Sequence, residues 1–249
     1  MCRAYRAPAT VAAVCLLLAG SYPQPASALV NLEWRPAAQV VQVGDEVRIG
    51  LYAVSDNEAD QLMAAMDVII AWDPAYMELL GVDCEGCPNW LFSGFMTDPF
   101  GLNEAIPPQD GDGMYTALAP LGVPIPATPA GTRVTTFRFR ALAVTEATVL
   151  DILESAGSPT GYTIVYDGTI PNTDVTGTLG NAEVTIVCQL CVGDLNDDGQ
   201  IDLVDLATLL AHYGATGGAA PWDGDVDCDG DVDLSDLAAL LAVYGTTCP

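Results

Sequence analysis

Hydrophobic and polar positions alternate with period two through most of this chain, the mark of half-buried strands. Val47, Ile49, Leu51 and Ala53 fall on one side of a strand whose other side carries Glu46, Arg48, Gly50 and Tyr52. Ala64, Met66, Val68, Ile70 and Trp72 repeat the pattern before Asp73-Pro74 ends it. Between Thr135 and Ala141 the inward set is Phe137, Phe139 and Ala141, and the outward set is Arg138 and Arg140. Gly180-Asn181 signals a turn, and Glu183 to Val187 a short last strand. Proline and glycine fill the gaps, above all Pro107-Pro108 and the segment from Gly122 to Gly131. Helical period is nearly absent from Val30 to Val187. Short strands separated by such turns predict a mainly β domain, an antiparallel two-sheet sandwich of jelly-roll-like type.

From Gly193 onward the period changes. Leu206, Leu209, Leu210 and Tyr213 follow helical spacing, and Leu237, Leu240, Leu241 and Tyr244 repeat it at an offset of 31. Each set predicts a helix with one apolar face, and Gly214 and Gly245 predict left-handed caps that stop the helices. Neither helix buries its stripe alone, so the two are expected to pack face to face. Gly214 to Pro221 (GATGGAAP) reads as the linker. The sandwich is thus followed by a small α domain of two loop–helix repeats.

The loops carry the chemistry. Asp194-Leu-Asn-Asp-Asp-Gly-Gln-Ile-Asp-Leu-Val-Asp205 is matched by Asp225-Val-Asp-Cys-Asp-Gly-Asp-Val-Asp-Leu-Ser-Asp236. Oxygen-bearing side chains stand at loop positions 1, 3, 5, 9 and 12, with Gly at position 6, which is a calcium-loop pattern. Calcium takes six to eight hard oxygens in flexible geometry. In the first loop Asp194, Asn196 and Asp198 alternate along a tight turn closed by Gly199; Gln200 offers its carbonyl, Asp202 binds directly or through water, and Asp205 closes the far side. In the second loop the same roles fall to Asp225, Asp227, Asp229, the carbonyl of Asp231, Asp233 and Asp236. The five side-chain positions carry four carboxylates in the first loop and five in the second. That crowding is repulsive without a cation, so two Ca2+ ions are expected to contribute to folding.

Charge sharpens this picture. The 249 residues carry a net charge of −26 and no lysine. Such a chain repels nucleic acid and anionic lipid, and divalent cations are its natural counter-charge. The tail from Gly193 holds twelve acidic residues and no arginine. At the other end, Arg3 and Arg6 precede an apolar run, Val11 to Gly20, and then Ala26-Ser27-Ala28. These read as an export signal over 1–28, cleaved after Ala28. The run is about half the ~20 residues that span a bilayer, and Ala12-Ala13-Val14 before Cys15 is a poor lipobox. The mature protein is expected to be secreted, extracellular or at the cell surface. Six cysteines then remain: Cys84, Cys87, Cys188, Cys191, Cys228 and Cys248. An even count in an exported chain favours disulfides, and a Cys228–Cys248 bridge would tie the tail without using a metal ligand. The two C-x-x-C pairs, Cys84/Cys87 and Cys188/Cys191, leave a four-thiolate zinc site as the alternative.

Position 12 is Asp in both loops, where the common calcium loop has Glu. With one trailing helix per loop, the duplicated pattern over Gly193 to Gly245 resembles a type I dockerin. The resemblance implies calcium-dependent docking onto a cohesin-type domain, often in assemblies that degrade polysaccharides. It also implies partner reading at loop positions 10 and 11, which here are Leu203, Val204, Leu234 and Ser235. Leu203 and Leu234 depart from the hydroxyls common there. The front domain resembles, more loosely, a cohesin-like or carbohydrate-binding-module-like sandwich. The cues are Val43-Gly44-Asp45, Trp72-Asp73-Pro74 and the stretch from Gly131 to Phe139. The expected organisation is a signal peptide (1–28), a cohesin-like sandwich (29–188) and a dockerin (189–249). If the sandwich is a working cohesin, a second copy of the chain is itself a partner, and a polysaccharide is another.

Catalysis has little support. The single histidine, His212, lies on the first tail helix, and no Gly-x-Ser-x-Gly elbow is present. Glu78, Glu104 and Glu146 are carboxylates that a glycosidase could use. Trp34, Trp72, Trp90 and Tyr115 either form a sugar-stacking platform, with Trp90 the best exposed of them, or fill the core. The expected protein is a secreted, non-catalytic adaptor; the other reading is a small glycoside hydrolase or a carbohydrate-binding module with a docking tag.

Overall fold

The computed structural model describes residues 28–98, 101–170 and 172–248. The expected export signal over 1–28 therefore lies, but for Ala28, outside the described residues. In chain order the strands are β1 (Val30–Arg35), β2 (Ala38–Gln42), β3 (Glu46–Ser55), β4 (Gln61–Met63), β5 (Ala65–Ala71), β6 (Met77–Asp83), β7 (Phe92–Phe95) and β8 (Asp112–Leu118). There follow β9 (Ile125–Ala127), β10 (Thr132–Ala141), β11 (Thr145–Leu153), β12 (Ser155–Ala156), β13 (Gly161–Tyr162), β14 (Ile164–Tyr166), β15 (Thr176–Leu179) and β16 (Asn181–Val187). The helices are α1 (Leu203–His212) and α2 (Leu234–Val243), with a 3-10 turn at Pro221–Asp223 between them.

The strands build a two-sheet sandwich, as the alternation predicts. One sheet runs β15-β1-β3-β10-β6; the other runs β2-β16-β11-β5-β8-β7, with β14 also on β5. Val47, Ile49, Leu51 and Ala53 of β3 are fully buried and face Met66, Val68 and Ile70 of β5 across one core. Each such side chain contributes about 1.5–3 kcal/mol on burial. Phe137 sits at the centre, edge-on to Trp34 (5.2 Å), Tyr115 (5.4 Å) and Phe95 (6.1 Å). Trp72 meets Phe139 in the same manner at 5.6 Å.

Local pattern did not reveal how the edges pair. β1 pairs with β15, and β16 with β2, in parallel, so the sheets are not wholly antiparallel. The turn at Gly180-Asn181 joins the two sheets. It passes the chain from β15 in one sheet to β16 in the other, held by the Gly180 amide donating to the Leu32 carbonyl (2.9 Å).

The tail has its own small core, made of three pairs of residues at the repeat offset: Leu195 with Val226, Ile201 with Val232, and Leu209 with Leu240. Gly193 and Gly224 precede the loops at φ near +90° and +106°. A Cβ on Gly224 would lie 2.8 Å from Leu209 Cα, and one on Gly193 3.6 Å from Leu240 Cα. Each glycine thus lets its loop press against the other repeat's helix.

Candidate metal centres and docking face

The two acidic loops fold alike and share most of their hydrogen bonds. In the first, Asp194 accepts from the Asp198 amide (3.2 Å) and the Gly199 amide (2.9 Å). In the second, Asp225 accepts from Asp229 (3.1 Å) and Gly230 (3.0 Å). Asn196 and Asp227 accept from the same Asp198 and Asp229 amides, at 3.0 and 3.3 Å. Position 4 of each loop, Asp197 and Cys228, takes a left-handed turn (φ 58° and 60°), and Gly199 and Gly230 follow at 83° and 91°. The backbone winds so that alternate side chains share one interior.

Positions 9 and 12 cap the helices. Asp202 Oδ1 accepts from the Val204 amide (2.7 Å), and Asp233 Oδ1 from the Ser235 amide (2.6 Å). Asp205 is fully buried and accepts from the Leu195 amide (2.8 Å) through one oxygen and the Asp202 amide (2.7 Å) through the other. Asp236 does the same with Val226 (2.6 Å) and Asp233 (2.8 Å). The short Asp at position 12 thus links loop start, helix start and loop interior, completing a capping box with position 9.

The repeats also close one another. The Gly214 amide donates to the Val232 carbonyl, and the Gly245 amide to the Ile201 carbonyl, both at 2.8 Å. Thr216 bridges to Asp231 and Thr247 to Gln200. The segment after Gly214 is therefore not a bare linker, since it pairs with the second loop. The flanking carbonyls of Gly199, Ile201, Gly230 and Val232 accept backbone bonds, whereas those of Gln200 and Asp231 accept none among the described residues.

The donor set of the second loop fits a hard divalent cation. Carboxylate oxygens of Asp225, Asp227 and Asp229 lie within 4.8 Å of one another, as do those of Asp231, Asp233 and Asp236. Burial, then the Asp236 and Asp229 charges, pushes the Asp227 carboxyl above its ordinary range. Asp225 is raised mainly by burial, and Asp231 by burial and then the Asp229 charge. Asp231 Oδ1 is buried with no hydrogen-bond partner. A cation would relieve all of these at once. In the first loop Asn196 and Gln200 replace two carboxylates, and among the described residues the clustered group there is Asp194 with Cys191 and Cys248 rather than three carboxylates.

Three disulfides replace the expected cysteine pairing. Cys84 joins Cys87, Cys188 joins Cys228, and Cys191 joins Cys248. The Cys228–Cys248 bridge is corrected, and the four-thiolate zinc site falls with it, because its four cysteines are divided among three separate bonds. Cys248 Sγ comes to rest 3.2 Å from Asp194 Oδ2.

Each predicted single apolar stripe splits in two. Leu209 and Leu240 are buried and Leu206 and Leu237 half-buried, but Leu210, Tyr213, Leu241 and Tyr244 face solvent. They extend a surface that includes the predicted contact residues: Leu203 and Leu234 are 67% and 66% exposed, and Val204 and Ser235 are exposed beside them.

The other candidates are dispersed. Trp34, Trp72 and Tyr115 are buried, so no four-ring platform exists, and Trp90 is half-buried with its indole N–H donating to the Val134 carbonyl (3.1 Å). Sequence reasoning missed Trp222, which is exposed and lines a cleft of about 790 Å3 between the Gln42–Asp45 turn and the first loop. Its place in Ala-Ala-Pro-Trp, outside any apolar stripe, was the available signal. Glu78 stands on β6, 3.9 Å from Arg140; Glu146 is on β11 of the other sheet, and Glu104 in the β7–β8 connection. His212 is exposed, with Nδ1 3.0 Å from the Thr208 carbonyl.

No protein-family model and no curated protein matches the chain. Solved structures similar to it are cohesins. One is a cohesin module from a family 33 glycoside hydrolase of Clostridium perfringens (13% identity, TM-score 0.45, covering 64% of this chain and 97% of that one). Another is the third cohesin ScaC of Acetivibrio cellulolyticus, solved in complex with the ScaB dockerin (15%, 0.44, 64% and 99%). A third is a non-cellulosomal cohesin of the archaeon Archaeoglobus fulgidus (12%, 0.43, 65% and 92%).

Proposed function

We propose that this protein is an exported, non-catalytic adaptor whose C-terminal unit binds two calcium ions and docks, in the metal-ordered state, onto a cohesin-type partner. Asp194, Asn196, Asp198, Asp202 and Asp205, with the Gln200 carbonyl, hold the first ion. Asp225, Asp227, Asp229, Asp233 and Asp236, with the Asp231 carbonyl, hold the second. The ions neutralise the clustered carboxylates and fix the loops, and the loops fix the starts of α1 and α2. The exposed row from Leu203 to Tyr213 and its copy from Leu234 to Tyr244 then form the docking face.

One observation carries this reading: the same set of side-chain-to-amide hydrogen bonds recurs in both loops at the repeat offset, with position 12 buried in each. The export signal and the disulfides support an oxidising, extracellular setting. The sandwich offers a second surface. If that surface accepts the tail of another copy, the contact is heterologous and builds open chains.

Calorimetric titration of the full chain tests the metal reading. Two calcium equivalents, with a helical signal that falls in chelator, are expected; absence of binding heat refutes it. Light scattering in calcium and in chelator tests self-docking, which a calcium-loaded monomer at all concentrations excludes.

A further inference from the structure

The described arginines, Arg35, Arg48, Arg133, Arg138 and Arg140, all lie on β1, β3 and β10 of one sheet. In a chain of net charge −26 without lysine, that sheet carries nearly all the positive charge of the described residues. Cross-strand pairing accounts for most of it. Arg48 and Arg138 face each other across β3 and β10, a like-charge pair, and Glu46 and Asp83 reconcile them. Arg140 has Glu78, and Arg35 has Glu33.

Arg133 is the exception: among the described residues it forms no ion pair. Its Nε donates to Tyr52 Oη (2.9 Å) and its Nη1 to the Glu85 carbonyl (3.2 Å). A guanidinium has five N–H donors, so most of its fork is left for something else. Arg35 lies over the same Tyr52 ring, 4.6 Å from its centroid, and Arg133 lies 5.6 Å from it.

The groove between them follows from one residue. Arg48, Gly50 and Tyr52 share a face of β3, and Gly50 lies between Arg35 of β1 and Thr136 of β10. The missing side chain lets the Tyr52 ring lie down over Gly50, since a Cβ there would come within 2.7 Å of that ring. Beside it is a cleft of about 280 Å3, lined by Gly50, Tyr52, Thr136, Arg35, Arg48 and Arg133, with Asp83 and Glu85. It lies just under the size of drug-like pockets, ~300 Å3 and upward, and so suits a small ligand.

We propose that this cleft binds a sugar acid. Arg133 keeps Nη2 uncommitted among the described residues, and Arg35, which also donates to the Ala130 carbonyl and Glu33, adds its charge beside it, so the pair offers N–H donors to a carboxylate. The carboxylates of Asp83 and Glu85 accept hydrogen bonds from hydroxyls. A ligand must bring one anionic group and several hydroxyl donors together to use both kinds of lining; a bare carboxylate uses only the first, and a neutral sugar only the second.

The test is titration of the full chain with D-glucuronate, glucose, acetate and oligo-aspartate, followed by calorimetry and by amide chemical shifts, in calcium and again in chelator. D-glucuronate is expected to bind at the β1–β3–β10 face in both conditions, at least tenfold more tightly than glucose or acetate. Arg133→Gln and, independently, Arg35→Gln are expected to weaken it tenfold or more, while Arg140→Gln, outside the cleft, leaves it unchanged. Thermal melts confirm that the variants are folded. No binding of D-glucuronate, binding equal to that of acetate, or preference for oligo-aspartate overturns the proposal. Because the cleft uses no tail residue, its failure is separable from failure of the calcium reading.

Discussion

Cys228, the fourth residue of the second acidic loop, is bonded to Cys188, the residue that follows the last sandwich strand. The left-handed turn at Cys228 is thereby fixed to the end of β16. The first loop is held differently: Cys191, three residues before it, is bonded to Cys248 near the chain end, and that sulfur lies against Asp194. Each acidic loop has one covalent anchor, and the two anchors are not equivalent although the loops are alike.

Replacing Cys188 and Cys228 by Ser opens a loop spanning 40 residues. Such a cross-link stabilises by about 2–4 kcal/mol, largely through the unfolded chain. The double variant is expected to melt earlier and to lose calcium affinity at one site about tenfold, with the other site nearly unchanged. Calorimetric titration resolves the two sites; equal weakening of both would show that the anchor does not act on the second loop.

Asp236→Ala removes the acceptor for the Val226, Asp227 and Asp233 amides together with a proposed calcium ligand. Loss of capping alone costs about 0.5–2 kcal/mol. The expected outcome is one calcium equivalent instead of two and partial loss of helix signal, with Asp205→Ala as the matching variant in the first loop. Stoichiometry that stays at two in both variants would remove position 12 from the site.

How much of this was legible depends on which residues interact. β3, β5 and β10 were readable because a half-buried strand records its environment every second residue. The same parity already placed Trp72 with Met66, Val68 and Ile70, so its burial against Phe139 was available, whereas Trp90 lies in a turn that has no parity. The loops were legible because the same residue types recur at fixed spacing, 31 residues apart. The parallel β1–β15 and β2–β16 pairs and the two tail disulfides were not, since each depends on segments 40 or more residues apart or on a sheet order that spacing does not encode. The sharing of each helical stripe between core and surface was hidden too. Leu209 and Leu210 are equally apolar, and only the crossing of α1 with the other repeat decides which is buried.

Acid stability has a specific origin on the sandwich. Glu46 is held at about 2, against an ordinary 4.5, first by hydrogen bonds from Arg138 and then by those from Arg48. A depressed folded-state value means its contribution is complete above about pH 4.5 and is lost as pH falls toward 2. Glu46→Gln is expected to flatten the acid limb of the stability curve in that window and to leave neutral pH less affected. Because the cluster is solvent-exposed, added salt should shrink the difference. Urea melts across pH 2–5 at low and high salt provide the measurement, and identical acid limbs would assign the acid transition to other carboxylates.

The final prediction separates folding of the tail from docking by it. Leu209 and Leu240 are fully buried in the tail core, so Leu→Ala at either is expected to cost about 2–5 kcal/mol. Leu203 and Leu234 are two-thirds exposed and contribute little to that core. Leu203→Asp with Leu234→Asp should therefore leave the melting curve and calcium stoichiometry nearly unchanged. An apolar docking face, however, tolerates no charge at its centre, because the carboxylate must be desolvated on contact. Capture of a cohesin-type partner in calcium is thus expected to fall at least tenfold in the Leu203→Asp, Leu234→Asp variant, while the Leu209→Ala protein docks in proportion to its folded fraction. Retained capture by the aspartate variant would move the docking face away from the starts of α1 and α2, whatever the metal does.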